Sequence, residues 1–369
     1  MNVSELVEPY YDVDTALKVV QITLYSSIIL IGAVGNGIIC WTVFRNKQRR
    51  ISEFLIANLA VTDLATCVVS IPFDLIERAT GGFPFGSIMC FMVYPLQTVL
   101  MAVSVITLLC MSLERYRIVM SPLRPRMTAR MAKICIVIAW IVPGIVITPY
   151  ALVLRLEGKQ CLENWPEDWY VKIFTLSIFV LFFVIPLFAI GISYARAGRK
   201  LQNDLLRFKK MSDTHSRTHA LYLRKRALQK LRITKVFMLA FVVFTICMFP
   251  THVTWLWHDF GSGRTSDNFY NILVFSSILT YINSAIDPFI FGRISIPNFG
   301  SEARRPEGLQ CVEGCWCVLY VLRIDSLVAE RQNAIRVKRS MRSRSSSSGK
   351  TVRRVATKRA GLISYVSSV

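Results

Sequence analysis

Seven stretches of the chain are long, apolar and nearly free of charge: about residues 19–43, 53–77, 89–113, 132–154, 171–195, 234–257 and 270–292. Each has 20 or more residues. A helix needs about 20 residues to cross a hydrocarbon layer of about 30 Å. In lipid the backbone amides must be bonded internally, so runs of this length are expected to be helices. Pro and Gly within several runs would weaken a soluble helix but are tolerated in a membrane bundle. A soluble helical core is the competing reading, but buried soluble helices are shorter and rarely come seven in succession. The expected fold is an all-α, multi-pass membrane protein, a bundle of seven transmembrane helices.

Apolar residues make up 53% of the chain and charged residues 18%, at a mean hydropathy of +0.44. The two compositions are segregated, with charges clustered between the runs. Arg45, Lys47, Arg49 and Arg50 fall in the first connection, six Lys/Arg near 115–133, thirteen in 196–235 and fifteen from 293 onward. Seven crossings place all of these, 38 of the 44 basic residues, on one side. That side is expected to be cytoplasmic, with the N-terminus outside and the plasma membrane as location. The formal charge of +21 therefore belongs mostly to the cytoplasmic face. It suits membrane lipids with anionic headgroups and an acidic partner. It does not point to nucleic acid, because no zinc-finger, RNA-recognition or basic-zipper pattern accompanies it. The outer side has twelve acids, among them Asp74, Glu77, Glu163 and Asp259, against six basic residues, a net of about −6. Such a field would draw in a cationic ligand, although ordinary solvated loops are the plainer reading.

Residues 1–18 are read as a short extracellular segment, 19–292 as the seven-span domain and 293–369 as a cytoplasmic tail. The first 18 residues lack the basic-then-apolar order of a cleavable leader, so the first span is expected to act as the signal. Asn2 opens an Asn-Val-Ser glycosylation sequon. The outer segment is short, which leaves recognition to the loops and the upper bundle. The basic amphipathic run YLRKRALQKLRITK, 222–235, is expected to extend the sixth helix into the cytoplasm. The tail begins with a Cys-rich apolar patch, 309–323, where Cys311, Cys315 and Cys317 are candidates for lipid attachment. A Ser/Arg-rich, low-complexity segment follows and is expected to be disordered. Pro297, Gly300, Pro306 and Gly308 argue against a long regular helix after the last span.

Ten cysteines do not form a disulfide framework, because most lie in spans or on the reducing side. Cys90 and Cys161 both face the oxidising side, and a bridge between them would pin the fourth-to-fifth loop over the mouth of the bundle. Ionisable groups inside spans are costly and are functional candidates. Asp63 and Asp287 are such groups, with Ser104 and Asn283 as further polar positions. Together they could hold a small cation such as sodium, or form a buried network with one acid protonated. Arg115 sits beside Glu114 at the cytoplasmic end of the third span, where the local reading is a snorkelling interface anchor. The chain has no HExxH, GxSxG, Walker or metal-spaced CxxC pattern, and no enzyme activity is expected.

The motifs converge on one family. GNGIIC contributes Asn36, NLAVTDLA contributes Asp63, and Cys90 opens the third span. SLERYRIVMSP carries Glu114, Arg115 and Tyr116. Trp140, then Pro186 and Tyr194, mark the fourth and fifth spans; FTICMFP and NSAIDPFIF, with Pro288, mark the sixth and seventh. In this order they resemble the rhodopsin-like (class A) G-protein-coupled receptors. Within that family the chain is similar to the neuropeptide receptors of neuropeptide Y, RFamide, orexin and galanin type. The resemblance covers about residues 20–292. It implies a Cys90–Cys161 disulfide and an allosteric sodium pocket of Asp63, Ser104, Asn283 and Asp287. It also implies that Glu114 restrains Arg115 at rest. On activation Arg115 would turn toward Tyr194 and a G-protein helix as the sixth helix swings near Pro250.

Three positions depart from the family pattern. Met248 stands where Trp is usual, so the sixth-span toggle would work through Met248 and Phe244. Phe291 replaces a Tyr and loses a hydroxyl. Lys230 occupies a place where many relatives carry an acid that locks Arg115, which leaves Glu114 as the obvious charged restraint. Gln97 lies where amine receptors carry Asp, which argues against a biogenic amine and is similar to receptors for amidated peptides. No Lys lies in the seventh span to bind retinal. The expected ligand is a short basic or amidated neuropeptide held by Gln97, Glu163, Trp165, His252, Trp255 and Tyr281. Expected partners are a heterotrimeric G protein and, through phosphorylation at Ser340, Ser343, Ser345, Ser346, Ser347 and Ser348, receptor kinases and arrestin. The alternatives are a poorly coupling decoy receptor and a receptor for a non-peptide ligand. A transporter or channel fits less well, because neither inverted halves nor a polar pore stripe is visible.

Overall fold

The computed structural model describes residues 3–46, 51–122, 127–211, 217–266 and 268–295. Asn2, Cys311, Cys315, Cys317 and the serines at 340, 343 and 345–348 lie outside the described residues, as does the rest of the tail. Among the described residues seven helices are long and apolar enough to cross a membrane. They are α1 (Val3–Arg45), α2 (Ile51–Thr80), α3 (Gly86–Met120), α4 (Ala129–Val153), α5 (Asp168–Met211), α6 (Arg217–Phe260) and α7 (Phe269–Ser295). Helix α6 carries the basic run 222–235 on the same rod as its apolar part, as expected. Helix α1 begins at Val3, well before the first apolar run.

Prolines shape two of the helices. Pro72 and Pro186 lack the N–H that would bond the preceding turn, and their rings crowd its carbonyl. The chain widens in each case to a π turn, at Thr66–Ser70 in α2 and at Val180–Val184 in α5. One extra residue in a turn rotates everything beyond it by about 100°. In α2 that rotation sets the direction in which Asp74, Glu77 and Arg78 project.

Among the described residues the one departure from an all-helical reading is a hairpin after α4. Strands β1 (Leu154–Glu157) and β2 (Gln160–Glu163) pair antiparallel, with Glu157 opposite Gln160 and Leu156 opposite Cys161. Gly158 takes a left-handed conformation, φ +62°, at the turn. The hairpin is fixed twice. Cys161 forms a disulfide with Cys90 at the head of α3, with Cα atoms 5.7 Å apart. The Phe83 amide donates to the Lys159 carbonyl at 2.7 Å. A Cβ at Gly82 would meet that carbonyl at 2.7 Å, so only glycine lets the two loops approach this closely. Cys40, Cys67, Cys110, Cys135 and Cys247 are free.

The main core runs through the lower bundle. Met111 of α3, Phe183, Ile190 and Tyr194 of α5, Phe237, Phe244 and Met248 of α6 and Phe291 of α7 are all buried in it. Helices α1 and α7 pack closely because a Cβ at Gly35 would lie 2.7 Å from Pro288. Asn36 locks that contact by donating to the Ser284 carbonyl at 2.8 Å. The NLAVTDLA motif and Trp140 also meet. Trp140 Nε1 donates to Asn58 Oδ1 at 3.0 Å, and Asn58 Nδ2 donates to Thr107 at 2.8 Å.

Candidate functional site

A cavity of 370 Å³ opens at the disulfide end, lined by residues of α2 to α7 and the hairpin. Among the described residues its acids are Asp74, Glu77, Glu163 and Asp259, and its single Lys or Arg is Arg78. Asp74 is held through both of its carboxylate oxygens. Gln97 Nε2 donates to Asp74 Oδ1 at 2.7 Å, and the Tyr281 hydroxyl donates to Asp74 Oδ2 at 2.6 Å. Gln97 also donates to the Ser70 carbonyl at 3.3 Å. The Tyr94 hydroxyl donates to Glu77 Oε2 at 2.6 Å. Helices α2, α3 and α7 thus build one acidic wall from neutral donors.

The facing wall is built by α5, α6 and the hairpin. Thr175 donates to Asp259 Oδ2 at 2.5 Å, and Asp259 Oδ1 lies 2.7 Å from His258 Nδ1 and 3.8 Å from Arg264. Trp165 Nε1 donates to Glu163 Oε2 at 2.6 Å. Glu163 is exposed as a whole residue, but protein groups surround its carboxyl. That burial pushes its carboxyl above the usual carboxylate value, and the charge of Asp259 adds to the shift. The Trp165 hydrogen bond, then His258 and Arg264, act against it.

The structure brings five of the six expected ligand residues to the cavity: Gln97, Glu163, His252, Trp255 and Tyr281. Trp165 is not in the lining; it lies behind Glu163, its ring 5.4 Å from that of Phe174. His252 is buried, its ring 4.7 Å from that of Phe183. Asp74, Glu77, Arg78 and Asp259 were legible only as outer acids and a base. Their spacing at one end of a span was the available signal. Gln97 takes on a different meaning here. It holds the Asp74 carboxylate at a place where α3 itself carries none.

Deeper in the bundle Asp63 Oδ1 accepts from Ser284 at 2.8 Å, and Asn283 Nδ2 donates to Asp287 Oδ2 at 3.4 Å. Asp63 Oδ2 and Asn283 Oδ1 are buried without a protein donor. Ser104 shares its hydroxyl with Thr62 at 3.0 Å. The four expected residues are all buried.

At the opposite end Arg115 Nη2 lies 3.4 Å from Glu114 Oε2, and the two side chains are 12% and 6% exposed. The guanidinium carbon sits 4.9 Å from the centre of the Phe237 ring, and Phe237 packs on Phe291 at 5.6 Å. Tyr194 is buried in the same core beside Phe241, while Tyr116 and Lys230 are half-buried. The Thr254 hydroxyl donates to the Pro250 carbonyl at 2.8 Å, taking up an acceptor in the turn after the proline. Arg115 is therefore more than a snorkelling anchor: a carboxylate and an aromatic ring hold it inside the protein.

Comparison with known proteins agrees with this architecture. Residues 35–291 match the family model described as 7 transmembrane receptor (rhodopsin family). The chain is 28% identical over 304 residues to neuropeptide FF receptor 2 of Rattus norvegicus, covering 77% of this chain and 71% of that one. It is 28% identical over 291 residues to neuropeptide Y receptor type 2 of Mus musculus, covering 75% and 73%. The Homo sapiens neuropeptide Y receptor type 2 is 29% identical over the same length, again covering 75% and 73%. A family match across well over half the chain, on a bundle with the motifs in their expected places, shows that this chain belongs to the rhodopsin family of seven-transmembrane receptors, multi-pass proteins of the plasma membrane that are not enzymes.

Proposed function

We propose that the chain is a receptor for an extracellular peptide and passes the signal to a heterotrimeric G protein. The cavity carries the reading, because four carboxylates and one guanidinium line it, a balance that favours a cationic ligand. A short neuropeptide that is basic or amidated fits this lining and the names of the relatives. The basic loops and the disulfide support the sidedness. Disulfides persist on the oxidising side, and the Lys/Arg-rich connections lie at the other end. Ligand and G protein then bias one two-state bundle from opposite ends, with Met248 and Phe244 packed between the two sites.

An allosteric sodium ion fits the polar core. Asp63 Oδ2 and Asn283 Oδ1 lack protein donors, and the Asp63 and Asp287 carboxyls lie close to one another. A cation, or one shared proton, would relieve that arrangement. Receptor kinases and arrestin would act on the tail serines, and lipids on the Cys-rich patch. One observation favours a second reading: Asp74, held by Gln97 and Tyr281, offers an ionic partner to a small non-peptide amine as well.

The test is a screen of basic and amidated peptides and of simple amines, in cells that report G-protein dissociation. Peptide-dependent dissociation that is abolished by Arg115→Ala supports the proposal. Binding without dissociation for every G-protein class would leave a decoy receptor, and a response to amines alone would replace the peptide.

A further inference from the structure

The hairpin after α4 has one covered edge and one open edge. Its turn is two residues, Gly158 and Lys159, so Glu157 and Gln160 form the first hydrogen-bonded pair. In an antiparallel ladder such pairs alternate with pairs whose backbone groups point outward. Arg155 and Leu162 are then a bonded pair, while Leu156–Cys161 and Leu154–Glu163 face outward. The Asn164 amide donates to the Val153 carbonyl at 2.9 Å, which continues the same alternation. On β2, therefore, Cys161 and Glu163 direct their N–H and C=O groups away from β1. The outer side of β1 packs against α3, and its Leu154 carbonyl accepts from Arg155 Nη1 at 2.8 Å. Along β2, no group among the described residues bonds the backbone N–H or C=O of Cys161 or Glu163.

An open strand edge is a template for a further strand. This one is held in place by the disulfide to Cys90 and by the Phe83–Lys159 bond at the turn. It can be reached, because Glu163 is exposed and Cys161 half-buried. It also continues into the cavity, which both residues line. Charge selects the occupant. A residue directly opposite Glu163 sets its side chain beside that carboxylate on the same face, where a cation is favoured and an acid is repelled. We propose that an extended segment of the peptide ligand pairs antiparallel with β2, exchanging backbone hydrogen bonds with Cys161 and Glu163 and placing a basic side chain opposite Glu163. Alternate ligand side chains then point toward the bundle, and those between them point to solvent. The pairing deepens the peptide-receptor reading and rests on it for the ligand being a peptide.

The test reads binding without signalling, so that the two ideas can fail separately. Full-length receptor in detergent is titrated with acetyl-Arg-Val-Arg-Val-Arg-amide, and affinity is read from the rise in melting temperature. In the proposed pairing the Arg residues turn their N–H groups toward β2 and the Val residues turn theirs away. N-methylation of the Arg amides is expected to cost at least about tenfold in affinity, and of the Val amides less than about threefold. Glu163→Pro removes one outward N–H and leaves the ladder, whose bonds run through Gln160 and Leu162. It is expected to weaken the parent peptide by about tenfold, against less than about threefold for Glu163→Gln, which keeps the N–H. If Glu163→Pro does not fold, the two methylated peptides on the wild-type protein decide. Equal loss from both methylation patterns, greater loss from the Val pattern, or no binding of the parent peptide would overturn the pairing. The expected pattern in a protein that no peptide activates would retain the pairing and defeat the signalling reading.

Discussion

The two ends of the bundle handle charge in opposite ways. At the disulfide end four acids face an open cavity of 370 Å³, and neutral hydroxyl, amide and indole groups steady several of them. At the other end Glu114 and Arg115 face each other at 3.4 Å, closed over by Phe237, which is fully buried. A steadied carboxylate beside a cavity gains a partner when a cation arrives. A sealed pair gains nothing until the bundle opens, and opening exposes a charge that a partner can take. On the proposed function, the cavity end is preformed for recognition and the other end stays closed until the helices move.

Variants can break this contrast, and the largest effect is expected at the hairpin. Cys161→Ser removes the covalent tie between β2 and α3, and loss of a native disulfide typically costs about 2–5 kcal/mol. Thermal unfolding and ligand binding at matched surface level should both suffer. Retention of wild-type affinity would show that the hairpin does not shape the cavity. Next comes Asp74→Asn, which keeps the shape but removes the charge that Gln97 and Tyr281 hold. A loss of about 2 kcal/mol, or about 30-fold in affinity for a cationic peptide, is expected, with basal signalling little changed. If basal signalling moved instead, the wall would belong to the switch.

The smallest effect is at Glu163, an exposed residue on the hairpin: Glu163→Gln should cost less than about threefold in affinity. Its pH dependence sharpens the comparison. The carboxylate attracts a cation only while ionised, and its raised pKa means that protonation begins at a higher pH than for an ordinary Glu. Binding should therefore weaken on mild acidification in the wild type and less so in Glu163→Gln. Identical pH profiles would remove Glu163 from the site.

The spans were legible because about 20 apolar residues leave lipid-crossing helices as the simple solution. The disulfide followed from sidedness and from the resemblance, and the structure contains it. The acidic wall was less legible for a geometric reason. The π turn at Thr66–Ser70 shifts the helical phase, so regular periodicity along α2 does not reveal where Asp74 and Arg78 point. The Gln97–Asp74 contact was hidden for a related reason, because a position read on α3 alone does not show a carboxylate supplied by α2. The hairpin is short and lacks an alternating apolar pattern, so it read as a loop. At Arg115 the charge pair was visible from adjacency. The Phe237–Phe291 packing beneath it was not, because it joins residues from two helices 54 positions apart.

The central claim is that the Arg115 end is held shut from within, and Glu114→Gln tests it most directly. The substitution keeps the size of the side chain and removes the charge that faces Arg115 at 3.4 Å. Measured as ligand-free G-protein dissociation at matched surface expression, Glu114→Gln is predicted to exceed wild type. Basal activity equal to or below wild type would contradict the account.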